Sequence, residues 1–181
     1  DLGVYVVNEP NPRAVRAARI ITFLPIRYPD QDLFPARQWH FDSEALFVSA
    51  GKLHFVTKHR PVDETGPEPG AKLYRLDTEH TDRENVLMLV GARDDLVWPT
   101  AASVSPDGRR LAVLTLEALW LFDQPSTGGD WFAGEPQRIP LPQARTRQAE
   151  AVCWDDARTL RIATEQRDLF IVDLEAVTAE R

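Results

Sequence analysis

The sequence predicts an all-β protein assembled from repeated four-stranded antiparallel units. Three observations predict it. First, one short pattern recurs: an apolar residue, an aromatic, any residue, an apolar residue, then Asp. It reads Leu73-Tyr74-Arg75-Leu76-Asp77, Leu119-Trp120-Leu121-Phe122-Asp123 and Leu169-Phe170-Ile171-Val172-Asp173, with a weaker copy at Val4-Tyr5-Val6-Val7-Asn8. Second, the apolar runs are short, rich in β-branched and aromatic residues, and bounded by Gly, Pro and Asp, which is strand chemistry. Third, two further runs joined by a tight turn precede each of the three strong copies.

The four aromatic positions stand 69, 46 and 50 residues apart. Periods of about 40 to 50 residues belong to β-propeller blades or to helical repeats, and the strand chemistry disfavours helices. In the first complete unit, Glu44–Ser49 turns at Ala50-Gly51 into Leu53–Thr57, and Val86–Val90 follows the aromatic strand as a fourth. In the second, Ala101–Ser105 turns at Pro106-Asp107-Gly108 into Leu111–Thr115, and Arg138–Leu141 is the fourth strand. In the third, Glu150–Trp154 turns at Asp155-Asp156 into Leu160–Thr164, and no fourth strand is evident. A Thr closes the second strand each time, at Thr57, Thr115 and Thr164. The N-terminal segment supplies two strands, Val4–Val7 and Arg19–Pro25.

The expected organisation is therefore a single β-propeller arc: a partial blade at 1–26, blades at 43–93 and 100–142, and a partial blade at 148–177. The connections at 27–40, 60–71 and 124–135, rich in Pro, Gly and charge, read as surface loops. Two full and two partial blades do not close a ring of about six to eight. The chain is thus expected to be a piece of a longer protein, or to associate through its open edges.

Composition bounds the function. Of 181 residues, 43% are hydrophobic and 27% charged, ordinary for a globular chain. Lys and Arg total 21 against 28 Asp and Glu, for a net charge of −7, and the 18 Arg are scattered. Nucleic acid is not an expected partner, because phosphate binding needs a local excess of cations. No apolar stretch approaches the ~18 to 20 residues of a membrane span. A single cysteine, Cys153, leaves no intrachain disulfide and no Cys-built zinc site. It stands mid-strand and is expected to be a buried, inert thiol.

At Ser105-Pro106-Asp107-Gly108-Arg109-Arg110-Leu111-Ala112 the chain resembles the SPDGRxLA signature of TolB-type, WD-like β-propeller repeats. The resemblance covers one blade well and the others by pattern. Arg27-Tyr28-Pro29-Asp30, Asp42-Ser43-Glu44-Ala45-Leu46 and Val56-Thr57-Lys58 are similar to a group of bacterial propellers that carry a RYPDG…DAEAL…VTK pattern. Here Gln31 replaces the Gly and Ser43 the middle Ala. That likeness implies a secreted or periplasmic location, with the cytoplasm as the alternative, and it brings no activity with it.

The candidate site lies at the expected channel mouth. Glu44 and Glu150 occupy equivalent positions, one residue before an Ala of the innermost strand, while the intervening unit has Ala101 there. Two such carboxylates suit a hard cation such as Ca²⁺; the alternative is that they serve the backbone or face water. His40, Asp42 and Glu44 alternate, so an extended strand would put all three on one face, an imidazole and two carboxylates that suit a metal; the alternative is loop structure, with Asp42 capping the strand entry. Lys58, closing a second strand, is placed to pair with Glu44 or to bind an anion. Trp39, Trp98 and Trp131 lie in or beside loops and are candidates for a binding face, with packing as the alternative reading. Tyr74, Trp120 and Phe170, with Phe47, Phe55 and Trp154, are expected to pack between blades.

No nucleophile elbow, P-loop, dinucleotide fingerprint or H-E-x-x-H occurs. The expected function is a non-catalytic scaffold, binding a protein, peptide or glycan through its loop face without a cofactor. The alternative is a calcium-assisted hydrolase of the lactonase or phosphoesterase type, with Glu44 and Glu150 as ligands.

Overall fold

The structure is a computed structural model that describes residues 2–11, 13–14, 17–62 and 66–179, the side chains of 178 and 179 excepted. Residues 63–65 of the 60–71 connection lie outside this set. The chain is all-β, in four separate sheets. The first contains β1 (Gly3–Val7), β2 (Ile20–Arg27) and β6 (Asn85–Val86). The second is β3 (Trp39–Ser49), β4 (Lys52–Arg60), β5 (Pro69–Arg75) and β7 (Met88–Val97), in sequence order. The third is β8 (Pro99–Val104), β9 (Arg110–Thr115), β10 (Ala118–Asp123) and β11 (Gln137–Pro140). The fourth is β12 (Ala149–Trp154), β13 (Thr159–Thr164) and β14 (Leu169–Asp173). Two short helices, α1 (Gln143–Thr146) and α2 (Leu174–Ala179), complete the elements.

Two-sided burial makes the middle strands read as apolar runs. Leu111 and Val113 of β9 pack toward the second sheet, with Phe47, Val56 and Leu73, while Ala112 and Leu114 pack toward the fourth, with Val152, Leu160 and Ile162. The second sheet likewise sends Phe55 and Tyr74 to Leu24 and Ile26 of the first and to Tyr28 just beyond β2. The strand period of two assigns alternate residues of one strand to two different cores. Trp120 and Phe47 lie in the core between the second and third sheets, and Phe170 and Trp154 pack against that between the third and fourth.

The first strands of the last three sheets run side by side, β3 along β8 and β8 along β12. Thr100 Oγ1 donates to the Ala149 carbonyl at 2.7 Å, fully buried, and Trp154 Nε1 donates to the Ser103 carbonyl at 2.9 Å. These bonds tie the third and fourth sheets together along their leading edges.

The turns account for the recurring residues. Ala50 and Gly51 have φ of 48° and 72°, as a two-residue hairpin turn of the mirror-image type requires. In the Ser105–Arg110 turn, Gly108 takes φ 74°, and Asp107 accepts from Ser105 Oγ and the Arg109 N–H. The three repeated threonines share one task. Each hydroxyl accepts from a backbone N–H in or beside the next strand: Thr57 from Lys72 within β5, Thr115 from Ala118 at the start of β10 and Thr164 from Asp168 just before β14.

The fourth-strand expectation for Val86–Val90 needs correction. Val86 belongs to the first sheet, where β6 pairs with β2 in parallel, and the second sheet's fourth strand starts at Met88. Buried Asn85 enforces this, its amide donating to the Pro25 and His80 carbonyls. Cys153 is exposed, not buried, because Val152 takes the inward-facing place beside it.

Candidate functional site

The β3–β4 hairpin builds the site. Its register places Asp42 opposite Lys58 and Trp39 opposite Arg60, with irregularities between Trp39 and Asp42 and between Ser43 and Ala45. Such bulges re-aim side chains. Lys58 is 1% exposed, and its ammonium lies on the Glu44 carboxylate and 3.7 Å from Asp42. Arg60 Nε is 2.6 Å from Asp42, and its far nitrogen is 3.8 Å from Glu44. The Trp98 ring carries both cations, with Lys58 Nζ at 4.6 Å and Arg60 at 4.9 Å from its centroid. A buried ammonium is tolerable only with such partners.

Glu150 reaches this group from β12. Its carboxyl is pushed above the ordinary range, first by burial and then by repulsion from Glu44 and Glu165, against a smaller pull from Lys58. Glu44, Glu150 and Lys58 therefore share one electrostatic neighbourhood, as their equivalent places in the repeat suggest. The ammonium of Lys58 already neutralises Glu44. Among the described residues, no three His, Cys, Asp or Glu side chains gather in a metal-holding group.

His40 departs from the expected face. The bulge between Trp39 and Asp42 breaks the alternation, and His40 stacks on His59 at 3.8 Å with its Nε2 3.2 Å from Glu68. His59 and its strand neighbours Lys58 and Arg60 point to opposite faces. Burial and the nearby His40 push the His59 pKa below its ordinary value.

Outside the hairpin, the segment between β2 and β3 walls two adjoining cavities. One, of about 480 Å³, is lined by Asp30, Arg37, His40 and Lys72 among others. The other, of about 380 Å³, is lined by Phe34, Trp39, Asp42 and Arg60 among others. Gln31, Ala36 and Phe41 line both. Phe34 stands 71% exposed. The base of this segment is fixed by Asp30, which accepts from Tyr74 Oη at 2.9 Å and from Lys72 at 2.5 Å.

The three tryptophans separate. Trp39 lines the second cavity and Trp98 belongs to the cation cluster. Trp131, a candidate for a loop face or for packing, is 2% exposed and packs edge-on against Phe47, so its loop folds inward. Sequence reasoning missed Arg60, although Lys58-x-Arg60 has the strand period that would have found it. It also missed His59 and Glu68, which pair near the two ends of the 60–71 connection without a local pattern that announces the pairing. Compared with models of known protein families and with curated protein sequences, the chain matches none.

Proposed function

We propose that the chain is an arc of a β-propeller that binds a protein, peptide or glycan ligand through its loop face, without catalysis. The propeller reading rests on the repeat spacing and on the meandering sheets stacked face to face with their first strands adjacent. The binding reading is carried by one observation: the 28–41 segment walls two adjoining cavities and presents Phe34 to solvent between charged groups of both signs. A concave surface mixing apolar and convergent polar groups is the usual form of a recognition site.

The chemistry around it favours recognition over turnover. The charges of the hairpin are spent on one another, Glu44 on Lys58 and Asp42 on Arg60. Two hydroxyls of the hairpin serve the backbone, Ser43 donating to the Val56 carbonyl and Thr57 accepting from Lys72. The calcium-assisted hydrolase reading lacks comparable support, because a buried ammonium already occupies the Glu44 carboxylate.

The test is a selection from a random peptide library and a glycan array, followed by titration of the selected ligand. Binding should fall by about tenfold or more in F34A/R37A. Ligand binding indifferent to that pair, or Ca²⁺-dependent ester hydrolysis lost in E44Q/E150Q, would overturn the reading.

A further inference from the structure

A separate cavity opens where the second sheet hands over to the third. It measures about 330 Å³, within the range of small-ligand pockets. Trp98 and Trp120 line it, with Asp95, Glu117, Arg138 and Gln143. Three features set it apart from an ordinary crevice. Trp98 is the single residue joining β7 to β8, and it holds φ at 55°. A bulky side chain rarely stands in that left-handed region, and such strain collects at functional positions. Trp120 is 8% exposed, and its Nε1 is enclosed without a hydrogen-bond acceptor among the described residues. A buried indole N–H normally finds a partner. Finally, polar side chains of every type border the two indoles: carboxylates that accept, an Arg that donates, and an amide that does both.

We propose that this cavity binds a neutral saccharide unit. A pyranose has apolar C–H faces that stack on indole rings, and hydroxyls that both donate and accept. Its hydroxyls can donate to Glu117, accept from Arg138 and Gln143, and bring an oxygen to Trp120 Nε1. Asp95 is already held by Arg93 at 2.7 Å and takes a lesser part. The ring of Trp98 is fixed from the hairpin side by Lys58 and Arg60, so the stacking platform is rigid before a ligand arrives. The two cavities walled by 28–41 lie on other elements, so this site stands or falls independently of the loop-face reading.

The experiment titrates the chain with glucose, galactose, mannose and N-acetylglucosamine and their β1,4-linked disaccharides, read by tryptophan fluorescence and by saturation-transfer NMR. At least one should bind saturably. Trp120→Phe keeps an aromatic ring and removes the N–H, and it should weaken that sugar by about tenfold, the worth of one buried hydrogen bond. E117Q/Q143A changes two exposed residues without touching the core and should weaken it as well. F34A/R37A should leave it unchanged. Failure of every sugar to bind overturns the proposal. So does binding unaffected by E117Q/Q143A, or a crystal structure with sugar elsewhere and only water on Trp120 Nε1.

Discussion

Lys58 Nζ stands 4.6 Å from the centroid of the Trp98 ring, joining the β3–β4 hairpin to the one-residue link between the second and third sheets. The contact crosses from one sheet to the next, and it depends on a cation that is almost wholly removed from water. Its neighbours Glu44 and Asp42 remain partly hydrated, at 39% and 35% exposure.

Removing that cation while keeping its bulk should destabilise the protein. K58M leaves two carboxylates facing each other with only Arg60 between them. A cost of about 1–3 kcal/mol is expected, below the ~3–5 of a fully buried broken pair because the carboxylates keep some water. Urea denaturation of K58M, E44Q and the double variant forms the cycle. The double variant should recover part of the loss, and strict additivity would refute the coupling.

The threonine turns should be individually measurable. Thr115 Oγ1 both donates to the Ala118 carbonyl and accepts from the Ala118 N–H, within a buried turn. T115V matches the shape and strands both groups, at about 1–3 kcal/mol. T115S should restore most of it. Equal stability of T115V and the parent would show that the recurring threonine serves something else.

Stability should fall on mild acidification. His54 and His59 are both held below the ordinary histidine pKa, chiefly by burial. For each, the unfolded chain takes up a proton before the folded one. Their contribution is complete above the unfolded value of about 6.5 and is lost as the pH falls from there through the lower folded value. Glu150 acts in the opposite sense, since its raised pKa lets the folded chain take the proton first. Denaturation midpoints at pH 7.5, 6.5 and 5.5 should therefore decline, and more steeply in E150Q. A flat profile in E150Q would contradict the burial of the two imidazoles.

Cys153 should react in the native protein. It is exposed, so a thiol reagent such as dithionitrobenzoate should label one thiol per chain without denaturant, at a rate within about tenfold of free cysteine. A thiol that appears only in denaturant would place β12 differently from the register described.

Much of the strand order was legible because alternation and turn chemistry are local. Thr115 and Thr164 marked strand ends before any hydrogen bond was known, whereas Thr57 did not, because β4 runs on to Arg60. What escaped depends on partners far along the chain. Asn85 pairs with a strand some 60 residues earlier, and nothing in Asn85-Val86-Leu87 announces it. The bulge that turns His40 onto His59 is decided by how β3 meets β4, so a strict period of two put His40 on the wrong face. Glu44 was singled out through the repeat, Asp42 by its alternation with Glu44, and Lys58 by its place beside Thr57. Arg60 and Trp98 joined them only once the hairpin and the sheet-to-sheet link were seen in space.

The alternate residues of β9 serve two cores at once, and this has a consequence for how the chain opens. Neither neighbouring sheet can leave without stripping one side of Leu111–Leu114, so a breach at one boundary is felt at the next. Opening should begin at the outer strands, where Tyr5, Leu169 and Ile171 face water, and travel inward. In native hydrogen exchange the amides of β9 and β10 should be the last to trade their protons, with protection declining toward β1 on one side and β14 on the other.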